Sequence, residues 1–175
     1  MLDALGCSAP LIEKVSVEPG MLTEWSIAPA TPWKAGTPYP PVPELPAETD
    51  LLKAGWRKFD RESEAAQTSW WQECWIQRGG VMPLGQVVVP THPGMASTTT
   101  GAFALTIVNA ASEKKATLQL GGSPGFAVWV NGNLVWQGKE LRGYHPDADR
   151  VEVPFHAGAN QILIFSNWIV YVAVD

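Results

Sequence analysis

The sequence predicts an all-β chain folded as a two-layer antiparallel β-sandwich, preceded by an extended, Pro-rich N-terminal segment. Three observations predict it. The 175 residues include 16 Gly and 15 Pro but only 17% charged side chains, a balance that suits short strands joined by turns better than long solvated helices. Several stretches alternate apolar and polar residues with period two, the pattern of a half-buried antiparallel strand. Finally, Asn131-Gly132 stands between two apolar runs, a strong local signal for a two-residue hairpin. The length suits one substantial domain. Residues 1–48 are expected to form an extended arm with short strands that wraps the sandwich, and residues 49–175 the sandwich itself.

Lys14 to Val17 and Leu22 to Ile27 are short strand candidates separated by the turn signal Glu18-Pro19-Gly20. From Pro29 to Pro46 there are seven prolines, which forbid helix and remove ladder donors, so the segment runs extended. Trp25, Trp33 and Tyr39 favour wrapping over a free linker, since a linker rarely carries large rings left in water. Thr49 to Lys53 has the residues to cap and begin one helical turn. Strands are then expected at 70–77, at 84–89 and at 103–108, where Phe103, Leu105 and Ile107 share a face. Further strands are expected at 116–120, with Leu118 and Leu120 alternating with polar residues, and at 151–155, where Val151, Val153 and Phe155 repeat the pattern. The unbroken apolar run Ile162 to Phe165 suits a central strand covered on both sides, and 169–174 closes the chain.

Residues 126–137 form the hairpin. A type I′ turn needs positive φ at both central residues, which Asn tolerates and Gly accepts freely. A regular ladder from that turn pairs Val130 with Asn133, Trp129 with Leu134, Val128 with Val135 and Ala127 with Trp136. One face would carry Val128, Val130 and Val135; the other Ala127, Trp129, Leu134 and Trp136. Both faces are apolar, and a two-layer sandwich buries only one of them in its own core. The second face is then covered by the Pro-rich arm, or it is a platform on which Trp129 and Trp136 meet a sugar or another subunit.

The resemblance carried by Gly125, Val128, Trp129, Asn131, Gly132 and Val135, then Arg142, Pro146 and Asp147, then Val151 and Val153, then Gly158 and Asn160 leading into Ile162 to Phe165, is to the galactose-binding-like jelly-roll domains that accompany catalytic domains in bacterial glycoside hydrolases and occur in many secreted proteins. It covers roughly residues 100–168, and Trp25 to Pro29 looks like the family's opening strand. Ser123-Pro124 replaces the acidic pair that often precedes the hairpin strand. The resemblance implies a jelly-roll fold and carbohydrate binding by association; its motif residues serve turns and strand starts, and none is catalytic.

Twelve Lys and Arg against seventeen Asp and Glu, with no basic block, leave no electrostatic footprint for nucleic acid. No run of about eighteen apolar residues exists to span a membrane, and the first residues lack the basic and apolar regions of a signal peptide. An extracellular, cell-surface or virion location is favoured over the cytoplasm, though no signal peptide is visible. Cys7 and Cys74 either form one bridge or remain separate thiols. His92, His145 and His156 show no metal-ligand spacing, so surface or structural roles are expected. Glu62 with Glu64, Asp147 with Asp149, or Glu152 could in principle supply a glycosidase's acid and base, but solvated surface charge is the commoner state of such residues. Asp147 and Asp149 are also candidate oxygen ligands for a structural calcium ion. No other cofactor is expected.

The expected function is therefore non-catalytic glycan binding by aromatic stacking. Trp129 and Trp136 would form the platform, with Tyr144 and Arg142 from the loop that follows. The alternative is a structural protein, such as a virion decoration protein or an extracellular assembly subunit, whose Trp face and N-terminal arm bury against neighbouring subunits in a homo-oligomer or larger assembly.

Overall fold

The computed structural model describes residues 22, 25–29, 45, 56–58, 82–83, 102–122, 125–138, 148–166 and 169–175. The strands expected at 14–17, 70–77 and 84–89, the helical turn at 49–53, most of the Pro-rich arm and both cysteines lie outside them. Among the described residues every element is a strand: β1 (Ser26–Pro29), β2 (Arg57–Lys58), β3 (Met82–Pro83), β4 (Ala102–Ala110), β5 (Lys114–Gly122), β6 (Ala127–Val130), β7 (Asn133–Gln137), β8 (Asp149–Phe155), β9 (Gly158–Ser166) and β10 (Ile169–Val174). They form a six-stranded sheet in the order β2-β1-β4-β9-β6-β7 and a four-stranded sheet in the order β3-β10-β5-β8. All pairings are antiparallel.

The two sheets close on one core. Ile27, Ala104, Ile164 and Val128 from the large sheet meet Leu118, Leu120, Val153, Phe155, Val170 and Val172 from the small one. Each such side chain, fully buried, contributes roughly 1.5–3 kcal/mol by leaving water. Strand β9 lies between β4 and β6, and its residues Ile162, Leu163, Ile164 and Phe165 are all buried, so both of its faces are covered as an unbroken apolar run requires. Leu22 joins the sheets at one margin. Its N–H donates to the Val172 carbonyl of β10 at 3.0 Å, and its own carbonyl accepts from the Trp25 indole at 2.8 Å. The chain then enters β1 and pairs with β4, so part of the first 48 residues is built into the large sheet.

Gly122 and Phe126 flank the approach to the hairpin. A Cβ on Gly122 would overlap the Phe126 ring, which is fully buried and packs on Trp136 with centroids 5.0 Å apart. Glycine is required there by close packing rather than by backbone conformation. The open edges of the sheets are blunted by different means. On β8, Pro154 removes a donor and Arg150 and Glu152 are exposed, while β7 carries a bulge.

Candidate functional site

The hairpin turn forms as its residues dictate, with Asn131 at φ 49° and Gly132 at φ 81°. Its register, however, departs from the regular ladder. Val130 pairs with Asn133 and Trp129 with Leu134, but Val128 pairs with Trp136 and Ala127 with Gln137, so a bulge at Val135 opposes two residues to one. The extra residue moves everything beyond it to the other side of the sheet. Trp136 therefore turns inward with Val128 and packs against the core between the sheets, as does Val135. The expected face uniting Trp129 with Trp136 does not exist.

Trp129 points outward, into a second apolar cluster with Phe103, Ala127, Leu163 and Phe165, against which Trp56 and Leu105 pack. Its ring lies 6.4 Å from that of Phe103, which is 5.2 Å from Phe165. Trp129 is only 3% exposed, so no ring face is left for a sugar to stack on. Along the same face exposure rises towards the hairpin turn, where Leu134 and Ile107 are 53% and 59% exposed. Tyr144, Arg142 and Asp147 lie outside the described residues. Asp149 begins β8 opposite Leu120, and among the described residues no group of three or more His, Cys, Asp or Glu side chains could hold a metal ion.

What the fold does bring together is the end of the sandwich at the hairpin turn. Asn131 extends the β6–β9 ladder beyond the strand: its N–H donates to the Gln161 carbonyl and its Oδ1 accepts the Gln161 N–H, both at 2.9 Å. Its Nδ2 donates to Asn160 Oδ1 at 3.0 Å and faces His156 Nδ1 at 3.3 Å. Asn160, fully buried, makes four hydrogen bonds: Oδ1 accepts from Asn131 and from the His156 N–H, while Nδ2 donates to the carbonyls of His156 and Gly158. A buried amide with both ends satisfied fixes the β8–β9 turn against the hairpin. Gly158 completes that turn at φ 93°.

Beside this network lies a cleft of about 340 Å³ between the exposed edges of the two sheets. Val135 and Pro154 give it apolar surface, backed by the buried Val130 and Phe155, and Asn131, Asn133, His156 and Glu113 give it polar groups. Its size falls at the lower end of the roughly 300–1,000 Å³ usual for small-molecule sites, and its lining has their mixture of apolar surface and a few placed polar groups. In the sequence Asn131 reads as a turn residue and His156 as a surface or structural one, and nothing marks Glu113 or Asn133 as part of a site. Their convergence is set by three separate connections, between β4 and β5, β6 and β7, and β8 and β9. The one signal available was Gly158-x-Asn160, whose amide holds two of those connections together.

No protein-family model matches the chain, and no curated protein does. Among the described residues no helix is long and apolar enough to cross a membrane.

Proposed function

We propose that the protein is a non-catalytic carbohydrate-binding β-sandwich, of the galactose-binding-like jelly-roll kind its hairpin and strand motifs resemble, and that it binds glycan in the cleft at the hairpin end. One observation carries this reading: apolar walls and amide, imidazole and carboxylate groups converge on a single cleft. A saccharide presents the complementary combination, C–H faces that favour apolar surface and hydroxyls that both donate and accept. The network of Asn131, Asn160 and His156 holds the lining in place before any ligand arrives, which lowers the ordering cost of binding. Stacking on Trp129 or Trp136 has no part in it.

Glycan-array screening of the full chain, followed by calorimetric titration of the best ligand, tests this. Binding is expected, weakened about fivefold in Asn133→Ala by loss of a hydrogen bond worth roughly 1 kcal/mol. No retention of any glycan would overturn the reading.

A second reading, an assembly subunit, is favoured by Ile107 and Leu134, large apolar side chains left exposed on the outer face of the six-stranded sheet. Sedimentation across a concentration series separates the two. Self-association abolished by Ile107→Ser with Leu134→Ser would support assembly, and a monomer at every concentration would count against it. Removing the first 48 residues is unsuitable as a test, because it deletes β1 from the sheet.

A further inference from the structure

We propose that the cleft prefers glycans bearing a free ammonium group, 2-amino-2-deoxy sugar units that are not N-acylated, with Glu113 as the counter-charge. The inference rests on the carbohydrate reading above and follows from which lining atoms are already engaged. Asn131 has both ends of its amide committed: Oδ1 to the Gln161 N–H, Nδ2 to Asn160 and His156. The His156 ring is committed too. Its Nε2 lies 3.0 Å from the Ala159 carbonyl, an acceptor, so Nε2 carries the hydrogen. Its Nδ1 then accepts from Asn131 Nδ2. Asn133 donates one amide hydrogen to the Asn131 carbonyl at 3.3 Å, which leaves its Oδ1 and one hydrogen. Glu113 is exposed and has no hydrogen bond or ion pair among the described residues.

The side-chain capacity left in the cleft is therefore dominated by acceptors, and it carries negative charge. The carboxylate of Glu113 and the Oδ1 of Asn133 stand against a single spare donor on Asn133. Lys114, next in the chain, lies across the ladder from Phe155 and does not line the cleft. Such a lining selects for donors and for positive charge. An ammonium brings three N–H donors and a charge that strengthens each bond to a carboxylate. An N-acetyl group replaces that charge with a carbonyl that itself needs a donor, and a uronate would place like charge against Glu113.

Calorimetric titration of the full chain tests the inference with three probes of equal length: a fully deacetylated glucosamine oligosaccharide, its N-acetylated counterpart and a neutral glucose oligosaccharide. The titration is run at about pH 7, where a free primary amine still carries charge and an ordinary imidazole, titrating near 6.5, is mostly neutral. The deacetylated probe is expected to bind about tenfold more tightly than the other two. That preference should collapse in Glu113→Gln and shrink as ionic strength rises from about 0.01 M to about 0.15 M, where the Debye length falls from roughly 30 to 8 Å. Circular dichroism of the variant checks that it is folded. Equal affinity for the three probes, or no binding of any of them, would overturn the amine preference, while the carbohydrate reading stands or falls on the glycan array. A preference that survives Glu113→Gln would overturn the assignment of Glu113.

Discussion

Trp129→Ala separates a buried outer cluster from an exposed binding platform. Large-to-small replacement of a buried Trp costs about 3–5 kcal/mol, and Trp129 is 3% exposed among Phe103, Leu163 and Phe165. The cluster lies outside the sheet rather than between the two layers, so its neighbours can collapse into part of the space, which points to the lower end, about 3 kcal/mol. With a urea dependence of about 2 kcal/mol per M, within the range of roughly 1–3 for small proteins, the unfolding midpoint should fall by about 1.5 M. Circular dichroism is the suitable probe, because nine Trp residues would blur a fluorescence signal. Leu134→Ala is the internal control. It stands directly opposite Trp129 but is 53% exposed, and should cost less than about 1 kcal/mol. An unchanged midpoint in Trp129→Ala, accompanied by loss of glycan binding, would show that the ring is a binding platform rather than part of a buried cluster.

Three further perturbations follow from the packing. Gly122→Ala would push a methyl group into the Phe126 ring and should lower stability by about 1–3 kcal/mol in urea unfolding; a neutral effect would mean that the ring is free to move. Asn160→Ala removes four hydrogen bonds and strands the N–H and carbonyl of His156. It should cost about 2–3 kcal/mol and speed amide hydrogen exchange at His156 and Gln161, and unaltered exchange would count against the network. Deleting Val135 should leave a folded protein, since Trp136 would still oppose Val128 once the bulge is gone. A collapse of near-ultraviolet circular dichroism in that variant would show that the bulge is indispensable.

The strands from β4 to β10 were legible because local chemistry and tertiary demand agree along them. Alternation marked β5 and β8, an unbroken apolar run marked the central β9, and Asn131-Gly132 marked the turn. The bulge was not legible. Nothing distinguishes Val135 from a regular strand residue, and the inward turn of Trp136 is expressed in its packing against Phe126, a contact beyond the reach of strand periodicity. A one-residue slip reverses a strand's faces, so that single irregularity was enough to misplace one Trp and with it the expected platform. The two-residue strands β2 and β3 are too short to leave a periodic signature. The cleft was illegible for a different reason: Glu113, Asn131 and His156 sit in three separate connections, Asn133 begins β7, and only the folded sheets bring them to one end. Asn131 stands out in the sequence for its backbone and His156 as a surface or structural histidine, neither for a place in a common site.

On the proposed reading, ligand meets the hairpin-end cleft and not the Trp residues of the hairpin. Proton–nitrogen correlation NMR of the full chain, titrated with the glycan that binds best, tests it most directly. Shifts are expected in the side-chain amides of Asn131 and Asn133 and in the backbone of Glu113 and His156, with the indole N–H signals of Trp129 and Trp136 unmoved. Shifts centred on those two indoles, with the cleft silent, would contradict it.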